Sequence, residues 1–136
     1  MAARSRQRVR DWTPLAKVVV FRKAADDLAS AGPVLGRLVK ALGTNAAARL
    51  LGADRAQVSR WSGGSESISA EMGRRIVDLN DVLSRILRVY NREAAALWLT
   101  GSEPLLGGAR PIDVLVTEGA APLIRAIDGI AAGAYA

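Results

Sequence analysis

Apolar residues recur three and four positions apart through most of the chain, the spacing of α-helices that each bury one face. Leu35, Leu38, Val39 and Leu42 form the first clear stripe. Pro33 falls in its first turn, where a missing N–H costs nothing, and Gly43 stops it. Ala48, Leu50 and Leu51 mark a second, short helix ended by Gly52. Val58 and Trp61 mark a third, opened by Asp54 as N-cap, with Gln57 completing a capping box. A longer stripe follows through Ile76, Leu79, Leu83, Ile86, Leu87 and Tyr90, capped by Ser67 or Ser69 and with Glu71 in its first turn. Asn91 opens a short helix closing on Trp98 and Leu99, and residues 100–110, rich in Gly and Pro, read as loop. One or two helical turns over 111–116 precede a last helix. Pro122 stands in its first turn, and Leu123, Ile124, Ile127 and Ile130 make its buried stripe. Gly129 and Gly133 flank its final turn and allow the chain to leave the helix there.

Residues 15–29 are ambiguous. Val18–Phe21 alone suits a short strand, whereas Ala24, Ala25 and Leu28 favour a single helix. The expected fold class is all-α, with a small sheet at most.

Residues 44–64 carry a more specific pattern. A small residue, Ala48, is followed four positions later by Gly52, six later by Val58 and three later by Trp61. This is helix-turn-helix spacing, in which the small residue lets two helices cross closely. Turning Val58 and Trp61 inward leaves Arg55, Gln57, Ser59 and Arg60 outside. Arg can bond guanine bidentately, Gln can bond adenine, and Ser can bond bases or phosphate. Core packing requires none of them there. With Thr44, which starts the first of the two helices, they are the candidate DNA contacts. The competing account is a purely structural helical hairpin.

Charge sharpens this picture. Residues 1–62 hold twelve Lys and Arg against four Asp and Glu; residues 63–136 hold seven against nine. The half with the helical hairpin therefore suits a polyanion. Arg4, Arg6, Arg8 and Arg10 alternate without an apolar pattern and suggest a flexible basic arm over residues 1–13, serving phosphate contact or solubility alone. The chain has no Cys and no His, so thiolate nucleophiles, disulfides, Cys-ligated metals and the usual neutral-pH base are excluded. No catalysis, cofactor or metal is expected. No apolar run approaches the ~20 residues needed to span a membrane, and no signal-peptide pattern precedes the first Trp, so a cytoplasmic protein is expected.

The residues from Ala96 onward, with Leu106-Gly107-Gly108 two positions before the Arg110-Pro111 step and a Gly133-Ala-Tyr135-Ala136 end, resemble the toxin-binding domain of Xre/MbcA/ParS-type antitoxins. The hairpin before it is similar to the Xre-like domain of that family. The resemblance spans roughly residues 33–136. Glu103-Pro104 stands where members often carry Pro-Asn. The resemblance implies a DNA-binding domain over 14–66 and a helical dimerisation and toxin-binding domain over 67–136. It implies two partners, a RES-domain toxin that consumes NAD and the double-stranded promoter DNA of the operon, met by a homodimer within a larger complex. The toxin-facing residues it implies are Arg125, Gly133, Tyr135 and Ala136. The alternative is a free-standing helix-turn-helix regulator whose C-terminal part dimerises. Asp26 with Asp27, or Asp78 with Asp81, could be drawn as an acid–base pair, but each sits at the edge of a helix stripe, where a solvated face is far commoner.

Overall fold

The computed structural model describes residues 31–134. The basic arm at 1–13, the ambiguous segment at 15–29, and Tyr135 and Ala136 lie outside the described residues. Within them the fold is all-α: seven helices, one 3-10 turn and no strand.

The helices are α1 (Ala31–Leu42), α2 (Thr44–Leu51), α3 (Arg55–Gly63), α4 (Ala70–Ile86), α5 (Arg92–Thr100), α6 (Pro111–Glu118) and α7 (Ala121–Ala134). The 3-10 turn is Pro104–Leu106. Local chemistry sets most of their ends. Gly43 (φ 87°) and Gly52 (φ 67°) take backbone conformations that a side chain would strain. Asp54, Ser69 and Asn91 each accept a hydrogen bond from a backbone N–H three residues on, at 2.7, 3.1 and 2.8 Å. Each such cap is worth about 1 kcal/mol.

The α4 helix is the spine. Its most extensive partner is α1, and it also touches α2, α6 and α7. Leu35, Leu38, Leu51, Ile76, Leu79, Ile86, Leu99 and Leu123 are fully buried and belong to one continuous apolar cluster that includes Val58 and Trp61. Each buried Leu or Ile contributes roughly 1.5–3 kcal/mol. Two arginines tie distant helix ends together. Arg75 Nη1 donates to the Leu51 carbonyl at 3.2 Å, and Arg92 Nη1 donates to the Ala41 carbonyl at 3.0 Å. Both satisfy C-terminal carbonyls that have no partner within their own helix.

Four expectations need correction. The long stripe does not run to Tyr90: α4 ends at Ile86, Leu87 is 38% exposed, and residues 87–90 form a turn that brings Asn91 into its extended capping conformation. The loop at 100–110 is not irregular throughout, because the 3-10 turn sits inside it. In α7 the fully buried positions are Leu123, Ala126 and Ile127, while Ile124 and Ile130 are half-buried. The helix also continues through Gly129, so that glycine is not an exit, while the chain beyond Gly133 and Ala134 lies outside the described residues. A Cβ on Gly129 would stand 3.1 Å from Leu105 Cδ1, which makes this glycine a close-packing position.

Candidate nucleic-acid interface and C-terminal face

Helices α2 and α3 are joined by Gly52, Ala53 and Asp54. The α3 helix is fixed by two inward side chains, Val58 and Trp61, both buried. Arg55, Ser59 and Arg60 are exposed and Gln57 is half-buried; at helical spacing Arg55 and Ser59 occupy one flank of the outer side and Arg60 and Gln57 the other. Arg55 and Ser59, four apart, lie one above the other. Thr44 stands apart from them as the first residue of α2, half-buried, behind a Gly43 that offers no side-chain cap.

The capping box is half formed. Asp54 accepts from the Gln57 backbone N–H at 2.7 Å, but the Gln57 side chain does not return to Asp54. Its Nε2 donates instead to Glu66 Oε2 at 3.3 Å. Arg60 Nε donates to the other oxygen, Glu66 Oε1, at 3.0 Å. A capping box would use the Gln57 side-chain oxygen as acceptor for the Asp54 N–H; the side chain instead directs its Nε2 to a charged acceptor, which makes the stronger bond. The hydrogen bond from Arg60 holds the Glu66 carboxyl below its ordinary value, with Gln57 adding to it. The pairing is thus complete above the usual carboxylate range and is lost only as pH falls through that lowered value.

Glu66 is the residue that sequence reasoning missed here. The signal is the Gly63-Gly64 step. Gly64 takes φ 82° and reverses the chain, and the Ser65 and Glu66 N–H groups both donate to the Arg60 carbonyl, at 3.0 and 3.3 Å. A glycine just past a helix end returns the following residues over the last turn.

The C-terminal face is organised by a second missed acid. Glu103 is only 8% exposed. Its Oε2 accepts from Trp98 Nε1 at 2.7 Å and its Oε1 from the Leu105 N–H at 3.0 Å. Its backbone carbonyl accepts from Leu106 and Gly108. The loop so fixed projects Leu105, 58% exposed, against Gly129 of α7. Arg125 and Gly133 are exposed on the same row of α7, four residues either side of Gly129 and about 12 Å apart by helix rise. The structure therefore places Arg125 and Gly133 on one face with Leu105.

No protein-family model, curated protein or solved structure matches the chain.

Two clefts among the described residues are lined by other side chains. One, of about 430 Å³, is polar and sits between α4 and the end of α6, lined by Arg74, Arg75, Asp78 and Thr117. Burial pushes the Asp78 carboxyl above its ordinary value there, against the opposing charge of Arg74. The other, of about 510 Å³, is an apolar groove between α2 and α5 whose lip is Leu97, 72% exposed. Among the described residues no helix is long and apolar enough to cross a membrane.

Proposed function

We propose that this chain is an antitoxin of the Xre/MbcA/ParS kind, a non-catalytic cytoplasmic protein with two partners. Through α3 it binds the promoter of its own operon, and through its C-terminal end it covers the nucleotide entrance of a RES-domain, NAD-consuming toxin. The observation that carries the DNA half is the outer side of α3. Two buried anchors, Val58 and Trp61, leave Arg55, Gln57, Ser59 and Arg60 outward on a helix short enough to lie in a major groove. The excess of positive charge in residues 1–62 supports the same partner. One such helix reads too few bases for useful specificity, so two copies act on a two-fold site.

The toxin half rests on the resemblance together with the α7 face, where exposed Arg125 and Gly133 flank the Leu105 contact. An NAD-consuming enzyme must line its cleft with groups that bind phosphates, and a run of small Gly and Ala residues bearing the single large side chain of Tyr135 suits such a cleft.

The test pairs a gel shift on the promoter fragment with growth rescue of cells expressing the adjacent RES-type toxin. Arg55→Ala or Arg60→Ala should weaken promoter binding by roughly 1–3 kcal/mol and relax sequence preference. Deleting residues 133–136 should abolish rescue while leaving the gel shift of the antitoxin alone intact. Full rescue by the truncated chain moves the blocking surface to the Leu105 loop. Promoter binding with no rescue by the parent chain leaves the free-standing regulator in its place.

A further inference from the structure

The outer side of α3 contains a negative charge where a DNA-binding face should be positive. Glu66 is held there twice. Its backbone N–H donates to the Arg60 carbonyl at 3.3 Å, and its carboxylate accepts from the Arg60 side chain at 3.0 Å. The same carboxylate takes Gln57 Nε2 at 3.3 Å. An acid placed this way weakens attraction to phosphates, so its presence on such a face requires a different account.

The geometry of the guanidinium supplies one. Arg carries five N–H donors in a rigid fork. Among the described residues Glu66 engages only Nε, which leaves the edge formed by Nη1 and Nη2 unoccupied. That edge has the spacing that bonds guanine O6 and N7 together. Gln57 is treated alike: one N–H of its amide goes to Glu66, and the second N–H and the carbonyl oxygen remain, the pair that reads adenine N7 and N6. Glu66 thus grips both side chains by the atoms that base recognition does not need.

Resting on the DNA assignment above, we propose that Glu66 is the positioning residue of this interface, holding Arg60 to present its terminal edge to a guanine and trading phosphate attraction for base discrimination. A free Arg samples many rotamers and loses that freedom on binding; one already held loses less. The benefit is realised only where a guanine is present, whereas the repulsion from phosphate applies to every sequence. The removal of Glu66 therefore affects specific and non-specific binding in opposite senses.

The experiment measures dissociation constants of the full chain for two duplexes of equal length: one selected by the parent protein from a random pool, and a scrambled one. Glu66→Ala should tighten binding to the scrambled duplex, leave the selected duplex bound equally or more weakly, and so lower the specificity ratio about tenfold, the scale of one lost base contact. Glu66→Gln, which keeps an oxygen for Arg60 Nε, should restore part of the ratio while still tightening scrambled binding. In an Arg60→Ala background, where only the longer Gln57 contact remains to lose, Glu66→Ala should change the ratio much less than it does in the parent. A role confined to stability would lower binding to both duplexes in step, with the ratio intact. If the parent discriminates and Glu66→Ala stays within about twofold of its ratio, the positioning role is wrong and DNA binding stands. If the parent binds neither duplex, the DNA assignment itself has failed and Glu66 falls with it.

Discussion

Glu103→Ala should be among the most damaging single substitutions outside the apolar core. The carboxylate is almost fully enclosed and accepts two hydrogen bonds, from the Trp98 indole at 2.7 Å and from the Leu105 backbone at 3.0 Å. Bonds to a charged acceptor are worth about 1.5–3 kcal/mol each, and leaving a donor unpaired in the interior costs a similar amount. Trp98 is half-buried and Leu105 exposed, so both donors recover some water and the low end of the range applies. The expected loss is roughly 2–4 kcal/mol, a large share of the roughly 5–15 kcal/mol typical of a domain. Glu103→Gln keeps one acceptor but sets an amide N–H against a donor, and should lose about 1–2 kcal/mol. Urea denaturation followed by far-UV circular dichroism measures both. Trp98→Phe combined with Glu103→Gln closes a double-mutant cycle, with a coupling of about 1 kcal/mol or more expected between residues in one network. A Glu103→Ala variant within about 0.5 kcal/mol of the parent would refute the reasoning, because surface substitutions alone fall in that range.

Other outcomes follow from single positions. Gly36 lies inside α1 with nothing among the described residues within 4 Å of an added Cβ, so Gly36→Ala should raise stability by up to about 1 kcal/mol in a thermal melt. Gly129→Ala gains the same helix preference but must push Leu105 aside by a few tenths of an ångström, so it should return less and should weaken toxin rescue. Burial raises the Asp78 carboxyl, so its charged form costs stability above the usual carboxylate range. Asp78→Asn should therefore raise the melting temperature at neutral pH, and the advantage should vanish as acid protonates the parent's carboxyl; an advantage that persists at low pH would point to another cause.

The helices were legible because their signals are local. The caps at Asp54, Ser69 and Asn91 and the stops at Gly43 and Gly52 act within three or four residues of themselves. The outward set Arg55, Gln57, Ser59 and Arg60 followed from burying Val58 and Trp61. What escaped depends on contacts between segments. Gln57 abandoned its capping box because the turn at Gly64 brought a carboxylate within reach. Gly129 resembled an exit only while the Leu105 packed on it was unknown. Nothing in the run around Trp98 distinguishes exposed Leu97 from buried Leu99. Glu103 reads as an ordinary loop acid until Trp98 is seen above it.

The dependence of the first three helices on α4 sets a schedule for the protein as it is made. Helices α2 and α3 adjoin in sequence and can pair early, yet Leu35, Leu38 and Leu51 belong to the cluster closed by Ile76, Leu79 and Ile86. Until Ile86 has cleared the ribosome, those side chains lack the cover that α4 provides. At roughly 5–20 residues per second, the stretch from the end of α3 to the end of α4 takes on the order of one to five seconds. During that interval the nascent chain holds the outward residues of α3 without the spine that orders them. A transcript broken before Ile86 would yield a fragment for proteolysis, not a smaller folded domain.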